Sequence, residues 1–188
     1  MSGRTFLGVA AAALAIAAGT ATAGAGPTGG VGEIDPVDPP TPEYPTDPAS
    51  PREGVFPVVG RVTYGDGLGS GRGHQGIDLM AKCGKRVVAA LPGRVSWIKY
   101  QAGGAGHYVV IDGKGRRQDT VYMHLAKRPK VRKGQKVAAG QTLGRVGSTG
   151  NTTACHLHFE MWSPAWSAGK PINPKPFLRR WKQAAKRR

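Results

Sequence analysis

Between residues 86 and 162 the apolar positions fall in short runs, with no long amphipathic arcs among them. Residues 86–90, 93–98 and 107–111 are rich in β-branched or aromatic side chains, and each run is bounded by Gly, Pro or Asp, the pattern of short strands. Gly103-Gly104 and Asp112-Gly113-Lys114-Gly115 between them are turn chemistry. Residues 120–125, 141–146 and 155–162 continue the series. The regular alternation of short strand and turn predicts an all-β domain with a small antiparallel sheet as its core. One helix is expected, at the end of the chain. Pro176 suits its first turn, while Leu178, Trp181 and Ala185 share one face and Arg179, Lys182 and Lys186 the other. A basic amphipathic helix of this kind can lie on an anionic surface.

The pattern is different before residue 54. Arg4, an apolar run over 6–18 and the triplet Ala21-Thr22-Ala23 make residues 1–23 a signal peptide. The apolar run is too short for a bilayer of about 30 Å, which takes roughly 20 residues, and no later stretch is apolar enough to span. Residues 24–53 hold eight of the 15 prolines and six of the 11 acids. Such a segment buries too little apolar surface to offset its ordering entropy, so it is expected to be a disordered, extended, acidic linker. The rest divides into a β domain over 54–175 and a basic tail over 176–188.

Charge narrows the partners. From residue 54 onward lie 25 of the 27 cations and five acids, a net of +20, which favours polyanions. Because the signal peptide implies an extracytoplasmic, secreted or wall-associated chain, anionic envelope polymers are the expected partners and nucleic acid is not. Cys83 and Cys155, the only cysteines, suit an oxidising compartment and invite one disulfide.

The five histidines are His74, His107, His124, His156 and His158. His74 and Asp78 stand four apart, but Gly73 and Gly76 make a helix improbable, so a loop running into a strand is expected, from which both side chains can converge. In residues 155–160 strand alternation sends His156, His158 and Glu160 one way. Cys155, Leu157, Phe159 and Met161 then point into the core, which argues against Cys155 as a metal ligand. By the same alternation Tyr122 and His124 would share a face, with Val121, Met123 and Leu125 in the core. Each of these patterns also fits an ordinary polar strand face. Taken together they offer imidazole and carboxylate donors of the kind zinc takes.

The order of these blocks resembles the lysostaphin-type zinc metallopeptidases, whose small β core carries a substrate groove. The resemblance runs from His74 to Trp162 and includes His74-x-x-x-Asp78 and Tyr122-x-His124-Leu125. It extends through Val131-Arg-Lys-Gly134, Gly140-Gln-Thr-Leu-Gly144 and Val146-Gly-Ser-Thr-Gly150 to His156-Leu-His158-Phe-Glu160. It implies a zinc-dependent endopeptidase that hydrolyses peptide bonds of bacterial peptidoglycan through a metal-activated water. His74, Asp78 and His158 would hold one Zn2+ per chain. His156 would be the general base, and His124 would hydrogen-bond the oxyanion or the attacking water. Many relatives have proline where this chain has Cys155, and Cys83 follows the first ligand block, so the paired change suits a disulfide. His107 stands where a small polar residue is expected and is read as structural or groove-lining. The alternatives are a non-catalytic wall-binding or hydrolase-regulating protein on the same fold, and an iron oxygenase with a facial triad. The first usually lacks one or more ligands. The second fits neither export nor the extra pair His124 and His156.

Overall fold

The computed structural model describes residues 54–71, 73–113 and 118–187. The signal peptide expected at 1–23 and the linker expected at 24–53 lie outside them. All that follows, the count of strands included, concerns the described residues alone. Ten strands run in chain order: β1 (Thr63–Tyr64), β2 (Ile77–Met80), β3 (Arg86–Val88), β4 (Gly93–Gln101), β5 (Gly106–Asp112), β6 (Asp119–Leu125), β7 (Lys136–Val137), β8 (Thr142–Arg145), β9 (His156–Ser163) and β10 (Lys170–Ile172). The helix α1 (Lys175–Lys186) follows them.

The main sheet is antiparallel, in the order β1-β2-β9-β6-β5-β4-β7, with β10 also pairing β9; β3 and β8 form a second, two-stranded sheet. Each of the six segments predicted as strands contains one. The strand expected after His74 is β2, while β1, β7 and β10 are additions of two or three residues.

One face of the main sheet is the core. Leu79, Val109, Ile111, Tyr122, Leu157 and Phe159 are buried there against the small sheet's Val87 and Leu143. Burying side chains of this size contributes about 1.5–3 kcal/mol each. The helix closes the core with Leu178 and Trp181, as its apolar spacing predicts, whereas Ala185 stays exposed. Gly54 lies so close to the Trp181 ring that a Cβ there would overlap it. Among the described residues no helix is long and apolar enough to cross a membrane.

The opposite face is open only at the candidate site, where His74 and Asp78 are part-exposed; beyond it Val110 and Val121 are fully buried in a second apolar cluster. Register carries this face from strand to strand: Asp78 and Met80 on β2 stand opposite His158 and His156 on β9, and His158 stands opposite Met123 on β6. Val121 lies beside Val110 on β5, which lies beside Trp97 on β4. The expected facing of β6 is therefore reversed at Val121, Tyr122 and Met123, whereas Leu125 is in the core as expected. Tyr122 is fully buried in the core, its hydroxyl accepting from Ala90 N–H and donating to Thr120 Oγ1. Val121 and Met123 belong to a second apolar cluster on the opposite face, Val121 fully buried in it. A strand in the middle of a sheet with apolar groups on both faces has no alternation to read, and His124 leaves the strand geometry altogether, with φ at 59°.

Candidate active site

The site lies where β2 and β9 run side by side. Gly76 makes this approach possible, because a Cβ there would strike the Phe159 carbonyl and crowd Glu160 and His158. Asp78 then sits directly across from His158. His74 comes from the loop before β2, where Gly69, Gly71 and Gly73 take positive φ. That loop is closed by Gly69 N–H to the His74 carbonyl at 2.7 Å and His74 N–H to the Ser70 carbonyl at 3.1 Å.

Asp78 Oδ1 is the meeting point. It lies 2.9 Å from His158 Nδ1, 3.1 Å from His74 Nε2 and 3.6 Å from His156 Nε2. One ligand atom from each of His74, Asp78 and His158 falls within 4.8 Å of the others. Each imidazole is held by its other nitrogen. His74 Nδ1 faces the Gly67 carbonyl at 2.9 Å. His158 Nε2 faces Glu160 Oε1 at 3.0 Å, and Glu160 Oε2 accepts from Trp162 Nε1–H at 2.7 Å. His156 Nδ1 faces the Ala154 carbonyl at 3.0 Å, with Thr152 Oγ1 at 3.3 Å. His124 Nδ1 faces the Thr149 carbonyl at 2.8 Å. A carbonyl oxygen only accepts, so the nitrogens facing Gly67, Ala154 and Thr149 carry protons; both nitrogens of His158 face carboxylates, and with a metal at Nδ1 the proton would stay on Nε2 towards Glu160.

The neutral forms of His74, His156 and His158 therefore turn lone pairs towards a carboxylate oxygen. Several acceptors around one point are favourable only with a cation among them, whether protons or a metal ion. Two imidazoles and a carboxylate also leave one position of a tetrahedral ion open, and anchored distal nitrogens are what metal-binding histidines show.

Electrostatics run the same way. Burial would raise the Asp78 carboxyl, but the hydrogen bond to His158 and the charges of His156, His158 and His74 hold it below its ordinary value. Burial would lower His158; its hydrogen bonds to Asp78 and Glu160 and their charges outweigh that and raise it to about 9. His124 is lowered, chiefly by burial, against the opposing hydrogen bond to Thr149.

The His124 ring lies 4.7 Å from that of His156 and 6.1 Å from that of His158. His107 stays outside the cluster, its ring 4.5 Å from Tyr100. As alternation predicts, His156, His158 and Glu160 share the face opposite the core, with Leu157, Phe159 and Met161 in the core and Cys155 packed partly against it. Cys83 and Cys155 are joined, 72 residues apart with Cα atoms 5.2 Å from each other. A loop of that length adds about 4 kcal/mol in the chain-entropy model. The bond ties the end of β2 to the start of β9. Sequence reasoning gave Glu160 a face but no task, and it missed the carbonyls of Gly67, Thr149 and Ala154. The first was legible two residues after His158; backbone acceptors have no residue signature.

An antiparallel face bearing two imidazoles and a carboxylate, with two further imidazoles beside them, defines a candidate one-metal centre. Residues 72–174 match the model of peptidase family M23, and the chain belongs to that family. It is 40% identical over 118 residues to a Haemophilus influenzae protein described only as an uncharacterized metalloprotease, covering 63% of this chain and 22% of that one. It is 39% identical over 100 residues to the peptidoglycan DD-endopeptidase ShyA of Vibrio cholerae, covering 53% and 22%. The solved catalytic domain of lysostaphin from Staphylococcus simulans superposes with a TM-score of 0.58 at 32% identity, over 63% of this chain and 92% of that domain. The chain thus spans about a quarter of the length of the curated relatives it matches.

Proposed function

We propose that this chain is an exported zinc-dependent endopeptidase that hydrolyses peptide bonds of bacterial peptidoglycan. The observation that carries the reading is the convergence of His74, Asp78 and His158 donors within 4.8 Å of one another at a part-exposed site, with His124 and His156 alongside. His74 Nε2, Asp78 Oδ1 and His158 Nδ1 would hold the metal. When bound, zinc supplies a Lewis acid that lets a water give up its proton near neutral pH.

The chain's own groups handle the protons. His156 donates from Nδ1 to Ala154, which leaves Nε2 free as general base to take the water's proton and pass it to the leaving amine. His124, protonated at Nδ1 towards Thr149 and kept neutral by burial, presents an accepting Nε2. That tautomer favours aligning the attacking water over donating to an oxyanion.

Family membership and the wall-cleaving relatives support the substrate class, and the signal-like residues 1–23 support an extracytoplasmic address. The basic surface supports contact with anionic envelope polymers. The test is digestion of purified sacculi. The full chain should release soluble fragments, stop with chelator and resume with zinc. Release unaffected by chelator would overturn the reading.

A further inference from the structure

A cleft of about 620 Å³ opens beside the base, lined by Arg61, Thr63, Met80, Ala81, Lys82 and Lys85 with Cys155. Its size is that of a ligand pocket. It adjoins the site directly: Met80 stands opposite His156 in the β2–β9 register, and Cys155 precedes His156. Three cations line it, and none of the five described carboxylates does. Asp78 and Glu160 are engaged by the histidines, and Asp119 by Gly113 and Trp166 N–H. The three cationic residues are exposed, and the backbone carrying Lys82 and Lys85 is tied down. Lys85 N–H to the Lys82 carbonyl, at 3.3 Å, closes a turn carrying both lysines, and the Cys83–Cys155 bond fastens that turn to the start of β9.

We propose that this cleft is a specificity subsite for a free carboxylate on the peptide being cut. The proposal rests on the peptidase reading and adds a substrate class to it: stem peptides with unamidated carboxyl groups, in preference to neutral bridges. A peptide held at His156 would need to cross only the Met80–His156 strand pair to place a side group in the cleft. The anion a peptide can offer there is a carboxylate. Lysine and arginine heads bind it by charge-assisted hydrogen bonds, while Met80 and Ala81 accommodate its aliphatic stem.

The experiment uses peptidoglycan freed of phosphodiester polymers. One half has its carboxylates converted to carboxamides with carbodiimide and ammonia, so every scissile bond is retained. The zinc-loaded full chain should digest untreated material about tenfold faster than amidated material, the worth of one or two charged hydrogen bonds. The double variant Lys82→Gln/Lys85→Gln should digest both at the wild-type rate for amidated material, the loss appearing in KM with kcat kept. Lys175→Gln/Lys186→Gln, on α1 and away from the cleft, should leave the tenfold gap intact.

Equal digestion of both materials by the wild type would overturn the subsite and leave the peptidase standing. A gap that survives Lys82→Gln/Lys85→Gln, or closes as much with the α1 variant, would assign the preference to the general basic field. A gap seen only on walls that retain phosphodiester polymers would make the ligand a phosphate and sink the proposal. Digestion of neither material would remove the peptidase reading itself.

Discussion

The two halves of the candidate metal site are built differently. His158 and Asp78 face each other across paired strands, so sheet register sets their separation. The strand side is doubly secured: His158 has Glu160, and His156 has the Ala154 carbonyl and Thr152. His74 comes from a glycine-rich loop, is about twice as exposed as His158, at 19% against 10% of its side chain, and hangs from the single carbonyl of Gly67. Rigid pairing fixes two donors, and a short turn must deliver the third. The strand side is therefore expected to tolerate loop damage better than the loop tolerates loss of the strand.

The largest effects come from removing donors. His158→Ala and His74→Ala should each lose metal and activity together, read by bound zinc after dialysis and by digestion of sacculi. His156→Ala should retain metal while turnover falls about 10²–10⁴-fold, the usual contribution of a positioned base. A His156→Ala protein without metal would make that histidine a ligand.

Next comes the support of the strand side. Glu160→Gln keeps the shape but removes the charge behind His158 and should weaken zinc binding about 10–100-fold by competition with a chromogenic chelator. Unchanged affinity would reduce Glu160 to a packing role.

The third effect is a pH dependence that separates metal-free from loaded protein. His158 is raised from 6.5 to about 9 in the metal-free site. Its contribution to stability is fully present below pH 6.5 and is lost as pH rises through 9. Thermal melts of the chelated protein should show Tm falling across that window. With zinc in place of the proton the fall should disappear, and a slope persisting in loaded protein would place the titration elsewhere.

The smallest effect tests the loop. Ser70 Oγ accepts from Gly67 N–H at 3.2 Å, and Ser70→Ala should cost about 0.5–1.5 kcal/mol. Zinc affinity should drop less than with Glu160→Gln. A larger drop would mean that the turn, and not the strand, governs the site.

Much of this was legible in the residues. Alternation from Cys155 to Met161 gave the correct facing for β9 because one side is apolar and the other carries His156, His158 and Glu160. It failed from Val121 to Met123, where both faces of a central strand are apolar and no period distinguishes them. The two-residue strands β1 and β7 are too short for a pattern and exist only because a neighbour pairs with them. The acidic anchor of His158 was in plain view, but its role depends on which nitrogen points where. The cleft beside His156 was hidden, since Arg61 comes from a different segment than Lys82 and Lys85.

His124 holds its place through a left-handed backbone, a conformation that costs most side chains about a kcal/mol or more but suits asparagine, aspartate and histidine better than most. An alanine scan would thus mix two injuries there, the missing ring and a chain urged to straighten back into β6. Asparagine, which accepts the same dihedral while lacking imidazole chemistry, is the substitution whose phenotype would speak for the ring alone.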